Sequence, residues 1–238
     1  MMREQIFIEY GEHRIICTLE RRPRRTLEIA VEPDMTVSVV APLDASIEAV
    51  ETRLRKRAAW ILRQKRYFMQ FIPRTPERLY VAGETHLYLG RQYRLKIIEN
   101  IQQRVSVTRG SLLVHSPRPK NSQVTQEIVE SWFRERAKVK FAERLAVSVD
   151  RFPVPETFTP IALVVRHLPQ RWGSMTTAGR LILNRRLVHA PIDAIDYVIT
   201  HELCHMAEPH HGQAFFALLD RTLPDWRKRK DRLERMMA

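Results

Sequence analysis

Hydrophobic and polar residues alternate over much of the first forty positions. Gln5 to Tyr10 and His13 to Leu19 read as strands on either side of Gly11-Glu12, a tight hairpin turn. Leu27, Ile29 and Val31 alternate with polar neighbours, and Val37, Val39 and Ala41 repeat the pattern beyond a turn at Pro33-Asp34. The period then lengthens. Ile47, Val50, Leu54, Ala58, Ile61 and Leu62 keep helical spacing, so a helix is predicted from Ile47 to Phe71, with Ser46 as N-cap and Pro73 as the stop. Alternation returns over 79–115. Tyr93, Leu95 and Ile97 form one strand, and Val105, Val107, Leu112 and Val114 form a pair around Arg109-Gly110. Residues 122–149 carry Ile128, Val129, Trp132, Phe133, Ala137, Phe141 and Leu145 on one helical face. A short strand follows at Ile161–Val165, then a hairpin-like segment over 171–184. A helix opening at Ala190-Pro191 carries Ile195, Val198, Ile199 and Leu203, and two further helices near 213–221 and 225–235 are split by Pro224. No internal repeat beyond similar strand pairs and no low-complexity segment is expected.

Composition adds a class and a charge. The chain has 238 residues and the apolar and charged fractions of a soluble globular protein. The longest aliphatic run, Ile161–Val165, is far too short to span a bilayer. The N-terminus leads directly into a strand, so no secretory signal is expected. Cys17 and Cys204 are remote in sequence, which argues against a structural disulfide and for a reducing cytoplasm. The net charge is +13, and its placement is uneven. Residues 1–120 hold 22 Lys/Arg against 13 Asp/Glu, residues 121–238 hold 18 against 14. Two features stand out in the first half: the loop Arg21-Arg22-Pro23-Arg24-Arg25, expected to be exposed, and the polar face of the first helix, with Arg53, Arg55, Lys56, Arg57, Arg63, Lys65 and Arg66 among Trp60, Tyr67 and Phe68. Such a face suits nucleic acid or a solvated surface.

The chemistry gathers in His201-Glu202-Leu203-Cys204-His205. Histidines four apart share a helix face and can point two imidazoles at one zinc ion. Glu202 adjoins the first ligand, where a carboxylate can take a proton from water activated by the metal. Pro209 should end the helix within a turn of His205, letting His210 or His211 return as a third ligand. Glu208, seven residues from His201, can orient an imidazole. Cys204 reads as a small core residue, and His167 and His189 as structural.

Several segments together resemble the YgjP-like metallopeptidase family, a relative of the SprT-type proteases. They are Arg171-Trp172-Gly173-Ser174, Leu183-Asn184, Asp196-Tyr197-Val198, and the H-E-L-x-H with a histidine six residues later. Upstream, Gly83-Glu84 with Tyr88-Leu89-Gly90 and Tyr93-Arg94-Leu95, and the arginine-rich start near Arg24-Arg25, are similar to further signatures of it. The resemblance implies His201, His205 and His211 as ligands of one zinc ion, with Glu202 as general base. Met175 stands where the family commonly has Cys, Cys204 where it has Ala, and Pro209 where it has polar residues. The resemblance implies an α+β fold: a β-rich N-terminal region with a long basic helix over 1–120, and a zincin-like metallopeptidase domain with a small sheet over 121–238.

Arg171 and Trp172 read either as structural, a charged residue and a core aromatic, or as cleft residues, with Arg171 meeting an oxyanion or a substrate carboxylate. Asn184 is expected to fix the end of a strand. A strand over 179–184 is expected to offer a free edge to an extended peptide. The leading function is zinc-dependent hydrolysis of peptide or protein substrates. A metal-dependent phosphohydrolase acting on nucleoside triphosphates is the alternative, an activity the resemblance also implies, although no glycine-rich phosphate loop is present. A DNA-associated protein with a structural zinc site is a third reading, opposed by three histidines and a neighbouring glutamate, which suit an open site.

Overall fold

A computed structural model describes residues 3–32, 34–69, 78–169 and 171–237. The fold is α+β, with five α-helices and three small sheets among the described residues. The chain divides into two compact units, Met1–Thr75 and Pro76–Met237. The break falls well upstream of the 120/121 boundary read from the sequence. The strands between 85 and 116 carry the expected β pattern, but their apolar faces share a core with the helices that follow them.

The first unit contains β1 (Arg3–Tyr10), β2 (His13–Arg22), β3 (Glu28–Val31), β4 (Val37–Pro42) and α1 (Ile47–Met69). Phe71 and Pro73, where the sequence places the end of this helix, lie outside the described residues. The sheet order is β1-β2-β4-β3. β2 and β4 run parallel in the centre, and β1 and β3 flank them antiparallel. Alternation buries Ile15, Cys17 and Leu19 of β2 and Val37, Val39 and Ala41 of β4. Val50, Leu54, Ala58 and Ile61 of α1 complete this core.

The arginine loop is exposed at Arg22, Pro23 and Arg25, as the sequence suggests, but three of its cations are engaged within their own unit. Arg21 donates to the carbonyls of Pro42, Leu43 and Ala45, which tie down the approach to α1. Arg22 pairs with Glu20 at 2.6 Å and Arg24 with Glu28 at 2.7 Å.

The second unit starts with β5 (Thr85–Tyr88), β6 (Arg91–Glu99), β7 (Arg104–Thr108), β8 (Ser111–Ser116) and α2 (Ser122–Val149). Its sheet order is β5-β6-β8-β7, with β6 and β8 parallel and both outer pairs antiparallel. This is the topology of the first unit, again followed by a long helix. The helices also match: Val50-Glu51-Thr52-Arg53-Leu54-Arg55-Lys56-Arg57-Ala58 aligns with Val129-Glu130-Ser131-Trp132-Phe133-Arg134-Glu135-Arg136-Ala137, five of nine positions being identical. In both, the first, fifth and ninth positions are buried. The chain therefore contains a ββββα repeat that the sequence reading did not find.

After α2 come β9 (Ala162–Arg166), β10 (Gly173–Met175), β11 (Arg180–Asn184), α3 (Ile192–Cys204), α4 (Gln213–Thr222) and α5 (Trp226–Met237). β11 is the central strand of this sheet, antiparallel to β10 and parallel to β9. The expected free edge at 179–184 is therefore corrected: both sides of β11 are occupied, and β10 and β9 are the outer strands. No helix among the described residues is long and apolar enough to cross a membrane.

Candidate metal centre

α3 is buried along almost its whole length. Ala194 to Thr200 are all buried, as are Glu202, Leu203 and Cys204, leaving His201 as a half-buried exception. An all-round apolar helix of this kind belongs in a core. Two devices fix it there. The Leu89-Gly90 turn donates its N–H groups to Val188 and His189, in the 3-10 turn just before α3, at 3.0 Å each. Gly90 has φ of +76°, and a Cβ there would lie 2.8 Å from the Cα of Pro191, the residue that opens α3. Further along, buried Asp196 receives two hydrogen bonds from Arg144 of α2, at 2.7 and 2.8 Å, and one from Arg151 at 2.8 Å. Arg229 of α5 stands at 3.6 Å from the same carboxylate. An aspartate buried in a helix needs such partners to remain charged.

The helix ends at Cys204, earlier than Pro209, with His205 as its C-cap. A tight turn follows, in which Glu208 N–H reaches the Cys204 carbonyl at 3.0 Å. The turn returns the Glu208 carbonyl to His205, whose Nδ1–H donates to it at 3.0 Å. This fixes the tautomer of His205 and leaves its Nε2 lone pair free for a metal. Glu208 thus orients an imidazole, as the sequence suggested, but through its main chain rather than its carboxylate.

The chain then doubles back, and His211 Nε2 comes to 3.0 Å from His201 Nε2. One ring nitrogen from each of His201, His205 and His211 lies within 4.8 Å of the others, the only such group among the described residues. His210 is exposed and outside it. Two nitrogens bound to one tetrahedral zinc at about 2.0–2.1 Å would be about 3.3 Å apart, close to the observed approach. Burial, reinforced by His205, His211 and Lys230, pushes His201 down to about 3. Burial also lowers His211, helped by His205. Neutral imidazoles are the form that ligates a cation, so the donor set fits a divalent metal.

Phe215 of α4 lies under all three rings. Its centroid is 5.0 Å from that of His201 and 4.7 Å from those of His205 and His211, and it is fully buried. It floors the site and restricts the imidazole rotamers. Phe215 stands in the first turn of α4, and because His211 lies before that helix no helical spacing links the two in the sequence.

Glu202, the residue after His201, is buried. Its Oε2 accepts a hydrogen bond from Met175 N–H of β10 at 2.9 Å. Burial pushes its carboxyl up to about 7, against the downward pull of the Met175 N–H and of Arg171. Gly173 provides the space. A Cβ at 173 would sit 2.7 Å from Glu202 Cγ and 2.9 Å from Oε1. Gly173 stands in the sequence only as part of the family signature, and its steric role shows only in the fold. What matters at Met175 is the backbone N–H, so the departure from Cys leaves this contact intact.

Asn184 closes the loop that carries Arg171 and Trp172. Its side-chain amide donates to the carbonyls of Leu168, at 2.7 Å, and Arg171, at 3.0 Å. Its Oδ1 accepts from Arg186 N–H, and its own N–H reaches the Trp172 carbonyl at 2.8 Å. Arg171 is exposed, yet near enough to lower Glu202. Trp172 is partly buried and packs against the core of its unit. Cys17 and Cys204 are free and buried. Burial pushes the Cys204 thiol up to about 12, so it is a poor metal ligand.

A comparison with curated proteins returns no match. The model of the YgjP-like metallopeptidase domain matches residues 25–236. That span begins inside the first repeat, after β2, and includes the whole second repeat and every residue of the histidine triad, so the chain belongs to the YgjP-like family, a family of metal-dependent hydrolases.

Proposed function

We propose that the protein is a zinc-dependent peptidase with a zincin-like catalytic unit, in which His201, His205 and His211 hold the ion and Glu202 is the general base. The observation that carries this reading is the convergence of three imidazole nitrogens at the end of the helix that also carries the buried carboxylate of Glu202. A zinc ion bound there supplies Lewis acidity toward an amide carbonyl and toward water. The protein's own residues do the rest. Glu202, raised to about 7, can accept a proton from the attacking water near neutral pH and pass it to the leaving nitrogen. Met175 N–H holds the carboxylate in place, and Gly173 leaves it room. Arg171 adds positive charge beside Glu202, where negative charge develops on the substrate oxygen. A peptide or protein substrate is favoured over a nucleotide because no glycine-rich phosphate loop adjoins the triad among the described residues.

Glu202→Gln tests this directly. The amide keeps the shape but cannot take the proton, so the variant should bind one zinc per chain and lose about 10²–10⁴ in peptide turnover. Full turnover in this variant would exclude Glu202 as the base. Hydrolysis of nucleoside triphosphates in preference to peptides would replace the substrate class.

A further inference from the structure

We propose that the exposed face of α1 is a docking surface for the phosphate backbone of a nucleic acid. This inference does not depend on the metal site. Arg53, Lys56, Trp60 and Arg63 fall on one side of the helix by their spacing, and Arg57 stands at the border between that side and the stripe of Val50, Leu54, Ala58 and Ile61 that fills the core. The four cations are exposed, and Trp60 lies half-buried between them. Their span is about 15 Å along the axis, ten residues at 1.5 Å each. That length matches two to three successive phosphates of a nucleic-acid strand.

The charge on this face is free. From Thr52 to Met69 the sequence has no acidic residue. Among the described residues, no carboxylate lies within ion-pair distance of Arg53, Lys56, Arg57 or Arg63, whereas Arg55, on another side, is bridged to Glu51 at 2.8 Å. The arginine loop gives the contrast, since Arg21, Arg22 and Arg24 are held by carbonyls and carboxylates of their own unit.

The internal repeat shows that the fold does not need these cations. Trp132, Glu135, Val139 and Ala142 of α2 are the counterparts of Arg53, Lys56, Trp60 and Arg63. Trp132 packs on Tyr88 with ring centroids 4.9 Å apart, and Glu135 pairs with Lys138. Only Arg57 keeps its charge, as Arg136, which donates to the Tyr88 hydroxyl. The same helix on the same sheet topology is therefore stable with one cation on this face.

The chemistry of the surface selects the partner. Among the described side chains no large apolar one is exposed between Arg53 and Arg66, so this stretch offers nothing to insert into a lipid layer. A protein partner would be expected to meet buried aromatic or aliphatic anchors, which are also lacking. A stripe of one sign without anchors suits a polyphosphate, bound through counterion release and without sequence preference.

The test is fluorescence anisotropy of a labelled oligonucleotide of about 20 nucleotides, titrated with the full-length protein across a salt series. Two to three phosphate contacts predict that log K falls with log salt at a slope of about −1.5 to −3. The Arg53→Gln/Lys56→Gln/Arg57→Gln/Arg63→Gln protein should bind about tenfold or more weakly, with a flatter slope. A charge-matched control, Arg104→Gln/Arg109→Gln/Arg118→Gln/Lys120→Gln, removes four exposed cations elsewhere and should leave binding near wild type. Equal loss in both variants would show that net charge alone attracts the nucleic acid, and would overturn the proposal. So would absence of binding at low salt, or binding to anionic vesicles but not to oligonucleotide. Circular dichroism of both variants checks that the fold is retained.

Discussion

Gly173→Ala is the sharpest test of how this site is assembled, because it adds a single methyl group outside the metal ligands. The new Cβ would lie 2.7 Å from Glu202 Cγ, 2.9 Å from Oε1 and 3.1 Å from Cδ. Carbon atoms pack best at about 3.5–4.0 Å, so the Glu202 side chain must retreat by about 0.8 Å or more. Neither side yields easily. Gly173 is paired with Leu183 in the sheet, and Glu202 belongs to a helix buried along most of its length. The carboxylate is the part free to swing, and swinging pulls Oε2 from the Met175 N–H, now 2.9 Å away.

Two magnitudes follow. Overpacking of this kind costs about 1–3 kcal/mol in stability. A displacement of about 1 Å in a reacting group costs on the order of 10²-fold in rate. The three atoms nearest the added methyl all belong to Glu202, so zinc should still bind at one per chain. The signature is therefore a fall in kcat near a hundredfold with retained metal and a lowered Tm. Turnover on a peptide substrate, metal analysis and thermal unfolding of the same preparation read the three quantities. A Gly173→Ala enzyme with wild-type kcat would refute the argument that the glycine exists to seat Glu202.

The remaining predictions concern the ligands and the supports of α3. His211→Ala should lose zinc in metal analysis, while His210→Ala should retain it; the reverse pattern would move the third ligand. Gly90→Ala forces a side chain both into positive φ and into Pro191, and should lower stability by about 2–4 kcal/mol in denaturant unfolding. Asp196→Asn should cost about 3–5 kcal/mol, since it leaves Arg144 and Arg151 facing a neutral group in a buried setting; an unchanged Tm would show that the cluster holds nothing. Trp172→Ala should cost less than the 3–5 kcal/mol of a fully buried aromatic, because the ring is only partly covered.

The elements themselves were largely legible. Alternation located the strands of both repeats, and helical spacing located α1, α2 and α3, because each buries one regular face. The histidine spacing was legible for the same reason: the i, i+4 relation of His201 and His205 is a local property of a helix. What escaped were relations between distant segments. Glu202 meets Gly173 across 29 residues, and Asp196 meets Arg144 across 52. No periodicity encodes such pairs. The end of α3 was misplaced because Pro209 looked like the stop, whereas the chain already turns at His205 to reach its own carbonyl at Glu208. The arginine loop misled in the opposite way: charge is visible in a sequence, but its neutralisation by Glu20, Glu28 and three carbonyls is not.

The repeat was hidden because burial constrains only every fourth position of its helices and leaves the outer faces free to diverge. That freedom has been used differently in the two copies. In the second, the hairpin turn at Leu89-Gly90 carries hydrogen bonds to the 3-10 turn before α3, and Trp132 and Arg136 of α2 pack on Tyr88 at the end of the same hairpin. Farther along α2, Arg144 ties α3 at Asp196. This copy therefore positions the helix that bears His201 and Glu202. In the first, the corresponding turn at Gly11 has nothing within 4 Å of where a Cβ would stand, and the corresponding helix face is cationic and unpaired among the described residues. One copy supports the metal site from within its own unit, and the other keeps its outer face free for a partner. The division explains why apolar substitutions at Val129, Phe133 or Ala137 should lower catalysis along with stability, whereas neutralising Arg53 or Lys56 should leave turnover of a small peptide unchanged.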